Sequence, residues 1–142
     1  MRARTAGVWM LTATTWLAMA GVSPAPARAA DPSCDGLSPT IVGTEGDDVI
    51  RRTPADDVIV GLGGNDVIVG GRGADVICGN DGNDSLIGME DDDRLFGGPG
   101  EDGVFGTGGN DHLEGGAGND VLTSGGGNLS GRDQLFGGPG ND

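Results

Sequence analysis

The chain contains no lysine and no tyrosine, one histidine, two cysteines and three phenylalanines, and both tryptophans fall within its first 16 residues. Each shortage removes a class of function. One histidine cannot make the two-histidine HExxH zinc site of a metalloprotease. Ser85, Ser124 and Ser130 lie on no nucleophile elbow, and His112 alone supplies no triad, so no enzyme activity is expected. Positive charge comes from arginine only. Three of the eight arginines (Arg2, Arg4, Arg28) precede position 30, whereas all 22 acidic residues follow it. From there on, five arginines face 22 carboxylates, a net −17. Nucleic acid and anionic membranes are poor partners for that sign, and cations are natural ones.

No apolar run is long enough to span a bilayer. The run from Val8 to Val22 holds 15 residues, against the ~20 that a membrane helix needs. With Arg2 and Arg4 before it and Ala27-Arg28-Ala29 behind it, residues 1–29 read as a cleaved signal peptide, and the mature chain begins near Ala30. The product is therefore expected to be secreted, in the extracellular region. In that oxidising setting Cys34 and Cys78 are expected to form a disulfide bond. Nothing after the signal keeps a helical period over ten residues, so no helix is expected there.

What is abundant is aspartate, glycine and order. Aspartate returns every nine residues at Asp48, Asp57, Asp66, Asp75, Asp84, Asp93, Asp102, Asp111 and Asp120. Two residues after each stands an aliphatic: Ile50, Ile59, Ile68, Ile77, Leu86, Leu95, Val104, Leu113 and Leu122. Counted with aspartate at position six, glycine prevails at positions one, two and four, the nonapeptide GGxGxDxUx of a calcium-binding parallel β-roll. Residues 30–42 form a short cap segment, with Thr40–Val42 as a strand that has no metal turn before it. Residues 43–142 are repeats. The tenth begins at Ser124 and carries four extra residues within Asn128–Arg132; the eleventh, GGPGND, ends at Asp142.

The chemistry follows from the spacing. Glycine admits tight turns of positive φ, which aim backbone carbonyls inward. Aspartate adds a carboxylate, and calcium takes six to eight such oxygens. The x-U-x triplet is a short strand whose middle residue faces the interior. One aliphatic per nine residues is a thin core for so glycine-rich a chain, so metal binding is expected to drive folding. On the order of eight divalent ions would balance the carboxylates.

Residues 43–142 resemble the RTX, or haemolysin-type, calcium-binding repeat family, on the strength of these in-register nonapeptides. The resemblance implies an all-β fold, a right-handed parallel β-roll (solenoid), with two nonapeptides per coil and Ca2+, several ions, between turns one coil apart. The implied bridging pairs are Asp48–Asp66, Asp66–Asp84, Asp84–Asp102 and Asp102–Asp120 on one edge. Asp57–Asp75, Asp75–Asp93 and Asp93–Asp111 line the other. Cys34 is then able to reach Cys78, two strands along one sheet from the cap strand.

Two roles are expected: a structural or interaction module, or a calcium-binding fragment of a longer secreted enzyme or adhesin, since the last repeat breaks off before its strand. Ice binding wants a threonine row that position three does not supply. Self-association or a protein partner is expected through outward residues Val58, Val60, Val67, Val69, Val76, Ile87, Phe96, Phe105 and Phe136, unless the cap segment covers the valines. Odd-numbered turns all keep glycine at positions one and four, whereas even ones carry Arg52, Thr53, Ala55 and Asp91, so the odd edge is expected to hold calcium more tightly.

Overall fold

The computed structural model describes residues 33–125 and 131–142, together with the backbone but not the side chain of Arg52. The expected signal peptide, its cleavage site and the first residues of the cap segment lie outside the described residues. Eleven strands follow one another: β1 (Ile41–Val42), β2 (Val49–Thr53), β3 (Val58–Gly63), β4 (Val67–Gly71), β5 (Val76–Asp81), β6 (Ser85–Met89), β7 (Arg94–Pro99), β8 (Gly103–Thr107), β9 (His112–Ala117), β10 (Val121–Thr123) and β11 (Gln134–Phe136). No helix occurs among the described residues.

Successive strands alternate between two sheets, because each nonapeptide turn reverses the chain. Odd strands run β1-β3-β5-β7-β9-β11 and even strands β2-β4-β6-β8-β10. Every pairing is parallel, and the register joins residues one coil apart, as in Ile59 to Ile77, Ile77 to Leu95 and Leu95 to Leu113. The fold is thus a β-solenoid with two nonapeptides per coil. Position eight points inward throughout. Ile59, Ile68, Ile77, Leu86, Leu95, Val104 and Leu113 are fully buried between the sheets, with Ile41, Ile50 and Leu122 packed against the ends of the row.

The extra residues of the tenth repeat do not break the register. Across them the one-coil spacing lengthens from 18 to 22 residues, yet the Asp111 N–H still meets the Asp133 carboxylate at 3.0 Å. Gly125 and Gly131 stack against Thr107 and Gly109, at positions two and four. The extra residues therefore fall among 126–130, outside the described residues, and do not reach Arg132 as the sequence reading had it.

The cap segment covers part of one face. Asp35 and Gly36, with φ of 51° and 77°, make a two-residue turn of the kind that Asp-Gly favours, closed by hydrogen bonds between Cys34 and Leu37 of 2.8 and 3.1 Å. Cys34 is thereby laid on Val60, Val76 and Cys78, which are buried with it although they point away from the core. Arg94 pairs with Asp35 to hold the turn down. Of the outward valines of the odd sheet, Val60 and Val76 are thus covered by the chain itself and Val58 in part, whereas Val42 stays exposed. On the even sheet Val49 and Val67 remain 64% and 41% exposed.

The Cys34 and Cys78 sulfurs lie within bonding distance, with Cα atoms 5.7 Å apart. Mass spectrometry of the unreduced protein is expected to find no alkylatable thiol, and reduction to cost roughly 2–4 kcal/mol of stability. Two free thiols in the native protein would refute the bond.

Candidate metal centre

Each turn places one aspartate at the start of a strand, where its carboxylate points back into the turn. There the two oxygens have different fates. Oδ1 accepts the backbone N–H of the aspartate one coil earlier: Asp48 to Asp66, Asp57 to Asp75, Asp66 to Asp84, Asp75 to Asp93, Asp84 to Asp102, Asp93 to Asp111 and Asp102 to Asp120, all at 2.8–3.0 Å. These are the seven pairs implied by the resemblance, and the structure stacks all of them. The ladder continues through Asp133 and Asp142, which the sequence reading left out of its site.

Oδ2 is different. In Asp66, Asp75, Asp84, Asp93, Asp102, Asp111 and Asp120 it is buried with no hydrogen-bond partner. A buried, unpaired carboxylate oxygen is costly, and here the cost recurs turn after turn. Glycine at position one is what makes room for it. A methyl group at Gly61 would collide with Asp66 Oδ2 and lie 2.7 Å from the Gly79 carbonyl oxygen; at Gly79 it would meet Asp84 Oδ2 and the Gly97 carbonyl oxygen at 2.8 Å. A carboxylate oxygen and a carbonyl of the next coil thus border the same small space. Among the described residues no three acidic, histidine or cysteine side chains converge, so backbone carbonyls must complete any ligand set. That is the hard-oxygen donor set that suits calcium.

Asp48 and Asp57 stand apart. Thr44 donates both its N–H and its hydroxyl to Asp48 Oδ2, at 2.5 and 3.0 Å. The Thr53 hydroxyl bonds Asp57 Oδ2, and the Thr40 hydroxyl bonds Asp57 Oδ1 at 2.9 Å.

The electrostatics reflect the burial and crowding of these carboxylates. Burial pushes the Asp93 carboxyl up to about 8, against the pull of the Asp75 N–H and with the help of Asp75, Asp111 and Asp91. Burial likewise raises Asp75 and Asp84 to about 6, and raises Asp66, Asp102 and Asp111.

An RTX calcium-binding nonapeptide repeat model matches residues 40–51, 53–86, 69–104, 79–113, 104–128 and 129–142. The chain belongs to that family. As an RTX repeat protein it is a calcium-binding repeat module with a β-roll fold. Neither curated proteins nor solved structures give a match.

Several features of this RTX roll escaped the sequence reading. Position one does not take positive φ; positions two and four do, as in Gly71, Gly98 and Gly116 or Gly64, Gly82 and Gly100. Position two also forces Leu62, Asn80, Met89 and Thr107 into that region, at φ of 88°, 73°, 97° and 85°. Both edges therefore carry strained residues, and the contrast between them narrows to Leu62 and Asn80 against Met89, Thr107 and Asp91. An outer ladder was also missed. Oδ1 at position five accepts the N–H one coil later, as in Asp47 to Asn65, Asn65 to Asn83 and Asn83 to Glu101, at 2.8–2.9 Å. Its signal was available, since position five is Asn or Asp in most repeats. His112 lies on the outer face, between the rings of Phe96 and Phe136.

Two outcomes follow for the carboxylates. A folded-state pKa above the ordinary 3.8 stabilises the fold fully below pH 3.8, and that contribution is lost as pH rises through about 6 for Asp75 and Asp84 and about 8 for Asp93. Metal-stripped protein in calcium-free buffer should therefore show more strand signal by circular dichroism near pH ~5.5 than near pH ~8, and added calcium should need a higher concentration at the lower pH. A strand signal that falls on acidification would contradict this. On the two edges, Asp84→Ala should raise the calcium midpoint of folding more than Asp75→Ala, because left-handed side chains cost on the order of 1 kcal/mol or more and Asn tolerates that region better than Met or Thr. Equal shifts in the titration would remove the asymmetry.

Proposed function

We propose that this chain is a secreted, non-catalytic calcium-binding module that folds on binding calcium and then serves a structural or interaction role. The observation that supports the reading most directly is the row of seven buried, partnerless Oδ2 atoms, each at a glycine-made opening. In this reading Asp66, Asp75, Asp84, Asp93, Asp102, Asp111 and Asp120 present carboxylate oxygens, and the turn glycines of the following coil present carbonyls. A bound calcium ion supplies the positive charge that offsets the stacked carboxylates. Oδ1 meanwhile keeps its backbone partner, so each aspartate holds two coils in register while its other oxygen is free to ligate. The same reading holds if the module is part of a longer secreted enzyme or adhesin.

A partner-binding role is supported by the even sheet, whose outer face carries Val49, Val67, Val69, Ile87, Phe105 and Val121 and is not covered by the cap segment. Among the described side chains at its repeat positions seven and nine, the only formal charge is Arg51. A face free of carboxylates on so acidic a chain suits a protein neighbour or a second copy.

The module is expected to lose most of its strand signal in excess chelator and regain it with calcium. The midpoint should lie at roughly 10⁻⁴–10⁻³ M, as in extracellular sites, with cooperativity because neighbouring sites share turns. Circular dichroism through a chelation and calcium cycle reads this. A strand signal unchanged in excess chelator would remove the calcium requirement.

A further inference from the structure

The first coil differs from every coil after it. Its two aspartates, Asp48 and Asp57, have Oδ2 atoms held by threonine hydroxyls, where the next seven aspartates leave theirs open. Residue type does not explain the difference. Thr107 occupies the same position two as Thr44 and Thr53, but its φ of 85° turns its hydroxyl to the Met89 carbonyl one coil earlier, and Asp111 Oδ2 stays unpaired. Thr44 and Thr53 have no earlier metal turn to stack on. Neither takes positive φ, and each hydroxyl folds back onto its own carboxylate.

The cap segment reinforces the same coil. Thr40 receives the Val58 N–H at 3.0 Å and donates to Asp57 Oδ1 at 2.9 Å, in the place of a coil that is not there. The Thr40 and Gly43 N–H groups bond the Val58 and Val60 carbonyls at 2.7 and 2.8 Å. Cys34 and Cys78 then tie the segment to β5. The Oδ2 atoms that later turns leave open are met here by the chain's own hydroxyls and, at Asp48, by the Thr44 N–H as well.

We infer that Thr44 and Thr53 stand in for calcium in the first coil, making it an ion-independent cap on which the calcium-dependent coils assemble. The inference rests on the reading that calcium is held at the seven open carboxylates. Solenoids need a differently built terminal repeat, and growth from a preformed end avoids nucleating each coil afresh. The ion-independent end is therefore the N-terminal one, and order spreads from it as calcium rises.

Hydrogen exchange read by mass spectrometry on the full chain tests this. In chelator, peptides covering residues 40–60 should stay protected while those covering 84–123 exchange as unfolded chain; calcium should then protect both. Uniform exchange along the chain in chelator, followed by uniform protection in calcium, overturns the inference and leaves the calcium reading intact. No gain of protection at 84–123 on adding calcium overturns the calcium reading itself. The paired variant Thr44→Val with Thr53→Val should abolish the chelator-resistant protection, whereas Thr107→Val, the same change at the same repeat position, should not. Equal effects would show that the hydroxyls of the first coil have no special part.

Discussion

The structure depends on a carboxylate oxygen that is buried and left unpaired in turn after turn. Parallel strands lie about 4.8 Å apart, so charged aspartates stacked at that spacing would repel by about 3 kcal/mol per neighbouring pair at an effective dielectric of 20. Among the described residues no side chain or backbone group pairs with the seven open Oδ2 atoms, and lysine is absent altogether. A cation or a proton must do so. The glycine at position one, the inward carbonyls and the raised pKa of Asp93 are consequences of the same crowding.

Around that axis the repeat divides its labour by position. Position eight supplies the thin aliphatic row from Ile59 to Leu113. Position six ties each coil to the next through Oδ1, and position five does the same on the outer surface with the opposite polarity. One ladder donates from the earlier coil and the other from the later. Each coil is therefore fixed in both senses by bonds that need no core, which suits a solenoid that buries so little apolar area.

The two faces of the roll are unequal. The cap segment seals the start of the odd sheet with Cys34 against Val60, Val76 and Cys78, and beyond it runs the ladder of Phe96, His112 and Phe136, with Arg94 beside Phe96. The even sheet keeps its valines in the open.

Much of this was legible in the sequence because the repeat is local. Nine residues of fixed phase dictate turn, strand and inward aliphatic, and the family's two-nonapeptide coil then sets the parallel register that the strands adopt. The apposition of Cys34 and Cys78 followed from the same arithmetic. What the chain's order could not show is how one residue type behaves in different neighbourhoods. Thr44, Thr53 and Thr107 share a repeat position, yet the first two close their own aspartates while the third, stacked on an earlier turn, bonds Met89. Val60 and Val67 both read as outward valines, yet only Val60 is covered, because the Asp35–Gly36 turn lays Cys34 across it. In each case the outcome depends on a coil or segment packed alongside but at least 18 residues away in sequence. Tertiary structure alone decides it, because a hydroxyl or a methyl finds its partner among atoms that the repeat itself does not contain.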